Sequence, residues 1–302
     1  MMNKPMKVRA GALVLLGMSA MSASAVAADW SDTAVSWRYG TRFREPVNPS
    51  DIKKHIFALT HASGYKYGSN YFNVDLLQSD KNDPASLTQD EGAQEAYVVY
   101  RHTLDIGALS GKFGGAPIQY GKVKGLGLVL GFDWNTKNDV GYNSRKRMLV
   151  AGPTLMWDVP GFLSTGILLI RESNAPSGAF PPISQVNGRY TYDTHAMLSA
   201  SWGIPLPAGL VGDWAQGWAF EGYLNYIGAK GRDEVGNPTG AETNLDMQLM
   251  VDIGRRFGQP KNRFRVGVEY QFWNNKFGNT AATTGNRGQR ASTPMVRAEY
   301  HF

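Results

Sequence analysis

Leu126-Gly-Leu-Val-Leu-Gly-Phe-Asp-Trp134 decides the fold. Leu126, Leu128, Leu130, Phe132 and Trp134 take every second position, and Gly125, Gly127, Val129, Gly131, Asp133 and Asn135 fall between or beside them. A period of two is that of a β-strand, whose side chains alternate between two faces. Five large apolar groups therefore project from one face, against glycine and polar groups on the other. The last stretch, Thr293-Pro-Met-Val-Arg-Ala-Glu-Tyr-His-Phe302, repeats the pattern with Val296, Ala298, Tyr300 and Phe302 on one face. Met295, Arg297, Glu299 and His301 form the other face.

Alternation recurs along the chain. Val35, Trp37 and Tyr39 flank Arg38; Phe57 and Leu59 follow; Phe72, Val74 and Leu76 flank Asn73 and Asp75; Ala96, Val98 and Tyr100 oppose Val99 and Arg101. Leu149, Ala151, Leu155 and Trp157 share a face, while residues 163–173 are apolar on both. Tyr192, Ala196, Leu198, Ala200 and Trp202 oppose Asp193, His195 and Ser199. Trp218, Phe220, Leu224 and Tyr226 oppose Glu221, Tyr223 and Asn225. Leu245, Met247, Leu249, Val251 and Ile253 oppose Asn244, Asp246 and Gln248. Phe264, Val266, Val268, Tyr270 and Phe272 oppose Arg265, Glu269 and Gln271.

The count is about twelve strands of roughly ten residues, longer than the usual soluble strand and long enough to cross a bilayer at a tilt. Trp134, Trp157, Trp202, Trp218, Tyr300 and Phe302 sit towards the ends of the apolar faces, where interfacial girdles lie. Lipid offers no hydrogen bonds, so such a sheet must close on itself. The expected fold is all-β, a transmembrane antiparallel β-barrel over residues 28–302. A soluble sandwich is the competing arrangement. Polar connections 79–94, 137–147, 174–189, 232–242 and 274–292 follow alternate strands, as long outer loops do, whereas 159–161 is short. Connections 105–121 and 205–217 are also long and depart from that rule.

The first 27 residues read as a cleaved signal peptide: Lys4, Lys7 and Arg9, an apolar run over 10–21, and Ala25-Val-Ala27 as the cleavage site. Its removal takes the formal charge from +6 to +3, because the segment carries those three cations and no acid. That excess is too small to argue for nucleic acid. The chain has no cysteine, which excludes disulfides and thiolate-held metals.

On the polar faces, Arg38, Asn73, Asp75, Arg101, Asp133, Asn135, Asp193, His195, Glu221, Tyr223, Asn225, Asn244, Asp246, Gln248, Arg265, Glu269 and Arg297 are the candidate lumen residues. Mixed charge with amides and an aromatic suits a small neutral polar solute with a flat face, since amides bond its edges and an aromatic stacks on it. The competing reading is that these groups pair with one another and fill the barrel. His195 and Ser199 share a face, but four residues along a strand separate them by ~13 Å, too far for a base to activate a hydroxyl. His55, His61, His102, His195 and His301 show no metal-ligand spacing, and no cofactor or metal is expected. Lys137, Arg145, Lys146 and Arg147 form a basic group that could hold lipopolysaccharide phosphates; the competing reading is a solvated loop base.

Phe264-Arg-Val-Gly-Val-Glu-Tyr-Gln-Phe-Trp-Asn-Asn-Lys-Phe-Gly278, with Val296-Arg-Ala-Glu-Tyr-His-Phe302, resembles the nucleoside-specific channel-forming (Tsx-like) family of Gram-negative outer membranes. Gly131-Phe-Asp-Trp-Asn-Thr-Lys-Asn-Asp139 and Phe220-Glu-Gly-Tyr-Leu-Asn-Tyr226 support the likeness. The resemblance implies a monomeric twelve-stranded barrel in the cell outer membrane, with a narrow pore for passive uptake of nucleosides. A general diffusion porin, an outer-membrane lipid-modifying enzyme and a phage or surface receptor are the alternatives.

Overall fold

The computed structural model describes residues 28–115, 118–207 and 217–302. The signal expected over 1–27 and most of the 205–217 connection lie outside the described residues. In chain order the strands are β1 (Trp30–Phe43), β2 (Ile52–Tyr65), β3 (Gly68–Ser79), β4 (Gln94–Asp105), β5 (Val123–Lys137), β6 (Arg145–Trp157) and β7 (Phe162–Asn174). They continue with β8 (Tyr190–Thr191), β9 (His195–Pro205), β10 (Trp218–Ile227), β11 (Glu242–Asp252), β12 (Phe264–Asn274) and β13 (Ala291–His301). β8 is two residues paired to the outer end of β7, so twelve strands span the barrel. A short helix, α1 (Ile106–Lys112), lies in the connection after β4, with the Asp105 carboxylate accepting from Ala108 N.

Each spanning strand runs antiparallel to its neighbours in sequence. β1 pairs with β13 in register from Ala34↔His301 to Gly40↔Met295, which closes the sheet and leaves no edge. The spanning strands run from 10 residues in β10 to 15 in β5, enough to cross the hydrocarbon at a tilt. Leu149, Ile167, Leu169, Leu198 and Val268 are more than half exposed, while Arg38, Asp133, Asp246 and Glu269 are buried. An apolar exterior around a polar interior is the pattern of an outer-membrane barrel. Residues 163–173 resolve cleanly: Ile167 and Leu169 face out, Leu168 and Ile170 face in.

The short connections 66–67 and 158–161 mark the inner end. At the outer end, loops 44–51, 80–93, 138–144, 175–194, 228–241 and 275–290 bond in a ring. Asp80 N donates to Lys53 O, Val140 N to Pro84 O, and Asn143 pairs with Ser177. Asp193 N donates to Lys230 O, Gly240 N to Gly278 O, and Val47 N to Arg287 O. The loops thus prolong the wall of the barrel.

Candidate functional site

Strand parity places Arg38, Asn73, Asp75, Arg101, Asp133, Asn135, His195, Glu221, Tyr223, Asn225, Asn244, Asp246, Gln248, Arg265, Glu269 and Arg297 on the inner face. Asp193 is not among them. The strand is interrupted between Thr191 and His195, which resets the alternation. Asp193 is exposed on the loop, and Tyr192, expected outside, is buried with its hydroxyl donating to Glu234 at 2.6 Å. Lys137 and Lys146, expected to meet lipid phosphates, also point inward and are ion-paired.

At mid-height the inner face carries a ladder of ion pairs. Register sets Arg38 directly opposite Arg297, a like-charge pairing that needs bridging anions. Glu269 supplies one bridge, 3.4 Å from Arg38 Nη1 and 2.7 Å from Arg297 Nη1. Asp75 pairs with Arg38 from the other side and also accepts from Asn73 Nδ2 at 2.9 Å. Lower down, Arg265 spans Glu221 at 2.6 Å and Glu299 at 3.3 Å, and Glu299 returns to Arg297 at 2.6 Å. Arg101 reaches Asp133 at 2.5 Å across Gly131, where a β-carbon would meet the Arg101 Cδ at 2.8 Å. Glycine at that position is what lets the arginine lie over the strand.

The outer half is closed by packing. Phe43, Ile52, Ile56 and Met295 form one buried apolar cluster on the inner face. Val129, Met148, Val150, Leu168, Ile170 and Met197 form another on the wall of β5, β6, β7 and β9. Between them the loop residue Glu45 lies 2.7 Å from Lys54, 3.6 Å from Lys137 and 3.2 Å from Lys276. Burial pushes the Glu45 carboxyl up, but Lys137, Lys276 and Lys54 outweigh it and hold it well below the usual carboxylate range. Asp83, wholly buried, accepts from Lys137 at 2.8 Å. A second knot joins Glu172 to Lys230 at 2.7 Å and Lys146 at 3.6 Å. Lys276 also lies 4.7 Å from the Trp273 ring, whose Nε1 donates to Glu242 at 2.5 Å.

The inner half is more open. Tyr71 is enclosed by the barrel wall yet 42% exposed. It lies within reach of the charges on Asp75, Arg297, Arg38 and Asp246. Tyr223, on the facing wall, is subject to Asp246, Asp75, Glu269 and Arg38, and it acts in turn on Tyr97. Tyr97 donates to Asp133 at 2.9 Å. Half-buried amides complete the surface: Asn73 accepts from Thr60 at 2.7 Å and Gln248 donates to Glu221 at 2.8 Å, while nearer the outer end Asn225 accepts from Ser199 at 2.7 Å.

Tyr71, Tyr97, Lys54, Glu172 and Glu242 were missed as interior residues. Parity alone would have found them: Tyr71 shares its face with Asn73, Tyr97 with Arg101, and Lys54 opposes Phe57. The inner face offers hydrogen bonds and aromatic groups, with its arginines already paired to carboxylates. The Ser199 hydroxyl bonds Asn225 and His195 Nδ1 meets the Asp193 carbonyl at 2.8 Å, so the two form no dyad. Among the described residues no acidic or histidine cluster is arranged to hold a metal ion.

No family model matches the chain, and no curated protein does. Among solved structures, a KdgM porin aligns at TM-score 0.40 and 10% identity over 89% of this chain and 99% of that one. The translocator domain of the autotransporter NalP from Neisseria meningitidis aligns at 0.44 and 12% over 90% and 88%. The outer membrane protein OpdK from Pseudomonas aeruginosa aligns at 0.31 and 9% over 91% and 99%. Likeness at this level says nothing about a solute, and the Tsx-like resemblance finds no support in it.

Proposed function

We propose that this barrel is a narrow passive channel for small neutral polar solutes of the nucleoside class, weakly bound in the inner half of the lumen. The observation that carries the reading is the water-open Tyr71, facing Tyr223 across a wall of half-buried amides. A base would stack on the tyrosines while its edges and the ribose hydroxyls meet Asn73 and Gln248. Arg38, Arg101, Arg265 and Arg297 each already hold a carboxylate, so the wall favours a neutral solute over an anion. Conduction requires binding weak enough to release, so block should saturate at modest affinity.

Single-channel recording in planar bilayers tests this, with adenosine, thymidine, glucose and phosphate added separately. The expected result is a small ionic current blocked by the two nucleosides and not by glucose or phosphate. A large current indifferent to all four would replace the reading with a general diffusion porin. Absence of current from folded, inserted protein would turn it towards a surface receptor or enzyme.

A further inference from the structure

Four arginines gather on the outside of the barrel where β6 and β7 leave the apolar belt. Arg145 and Arg147 hold the outward positions of β6 beyond Leu149, and Arg171 holds the outward position of β7 beyond Leu169. Register sets Leu149 opposite Arg171 and Arg147 opposite Ser173, so Arg147 and Arg171 are diagonal neighbours. Arg189, from the loop after β7, folds back over them: its Nη1 donates to Arg145 O at 2.9 Å and Ser173 Oγ at 3.2 Å. Arg171 Nη1 donates to Thr194 Oγ1 at 3.4 Å.

All four side chains are exposed, and none makes an ion pair among the described residues. Partial burial, then Arg147 and Arg145, push the Arg189 guanidinium below its ordinary pKa. Inside the barrel, by contrast, Arg38, Arg101, Arg265 and Arg297 all have carboxylate partners. Four unneutralised guanidinium groups held together are costly unless an anion joins them. At this height, one step beyond the exposed Leu149, Ile167 and Leu169, the molecule meets lipid headgroups.

We propose that Arg145, Arg147, Arg171 and Arg189 form a binding site for the phosphates of a phosphorylated glycolipid of the outer leaflet, with its acyl chains lying on Leu149, Ile167 and Leu169. Guanidinium groups take phosphate oxygens two at a time, and a lipid bearing two phosphates answers four cations better than a single-phosphate headgroup. Lys137 and Lys146 take no part, because their amino groups are turned to Asp83 and Glu172. The site is on the outer wall and is independent of lumen chemistry.

Native mass spectrometry of the folded barrel tests the site, using bisphosphorylated lipid A, its dephosphorylated form, phosphatidylglycerol and inorganic phosphate as probes. Bisphosphorylated lipid A should be retained, and the double substitution Arg147→Gln/Arg171→Gln should weaken that retention by about tenfold or more, the equivalent of one charge-assisted contact. Arg42→Gln, at the outer end of β1, should leave it unchanged. The heat-dependent gel shift of a closed barrel should persist in both variants, and nucleoside block should be unaltered. Equal retention of the dephosphorylated form or of phosphatidylglycerol would overturn the proposal. So would a double variant that binds as well as the parent, or inorganic phosphate that displaces the lipid.

Discussion

The two halves of the lumen are built from the same alternating strands, yet they hold their polar groups differently. In the outer half, Lys54, Asp83 and Thr293 are at most 1% exposed, and Phe43, Ile52, Ile56 and Met295 form a buried apolar cluster beside the strand tops. Towards the inner end, Tyr71 opens to water, and Asn73 and Gln248 are only half-buried. Strand pattern does not separate the halves. Loops do: Glu45 and Asp83 reach down from the ring to neutralise lysines at the strand tops, which lets apolar side chains close the space between. At the inner end the connections after β2 and β6 are short, and the one after β4 carries α1. The outer end of the barrel is a packed polar core, whereas towards the inner end Tyr71 stays open.

The largest expected effect follows from removing the centre of the outer knot. Glu45→Ala leaves Lys54, Lys137 and Lys276 buried with fewer partners, a loss of about 3–5 kcal/mol. Urea unfolding in detergent micelles would register it, whereas Asn73→Ala in the inner half should shift the same curve far less. Equal shifts would abolish the distinction between the halves.

Facing gives the next effect. Leu128 points to lipid, and Leu128→Arg should cost about 2–4 kcal/mol near mid-bilayer. Its neighbour Val129 faces inward but belongs to the buried cluster of Met148, Val150, Leu168 and Ile170. Val129→Arg should therefore destabilise as well, by overpacking and a buried charge rather than by exposure to lipid. Free acceptance of that arginine would mean an open outer half.

Acid should act on the outer half first. The folded pKa of Glu45 lies well below its ordinary 4.5, so its stabilisation is complete above that value and fades as pH falls through the folded value. Asp83 is also held low: burial raises it, but Lys54 and Lys137 prevail. Hydrogen exchange of loops 44–51 and 80–93 should accelerate in that acid window before the exchange of β9 and β10 does. Simultaneous acceleration throughout the barrel would contradict this order.

The smallest effect on stability, and the most informative for function, belongs to the tyrosines. Tyr71→Ala should barely move the unfolding curve while weakening nucleoside block by about 0.5–1.5 kcal/mol, the worth of one aromatic stacking contact. A loss of stability without loss of block would assign Tyr71 to packing.

How much was legible varies by element. The faces of β5, β12 and β13 could be read at once, because five or four large apolar groups at a period of two admit only one assignment. Residues 163–173 could not, since apolar side chains serve both lipid outside and the Leu168–Ile170 packing inside. Asp193 was misplaced because parity survives only while the strand does, and three irregular residues reset it. Lys137 and Lys146 adjoin Arg145 and Arg147 in sequence and look like one basic group, yet parity sends the lysines in and the arginines out.

Local order alone determined strand length and, where one face is polar, facing, because each depends on residues within a few positions of one another. Tertiary structure decided which charges neutralise which. Arg38 and Glu269 stand 231 residues apart, and only closure of β1 on β13 brings their walls together. The same closure, with the loop ring above it, decided which polar residues became buried ion pairs and which stayed open to a solute. That depends on distances between walls, and a one-dimensional period contains no such distances.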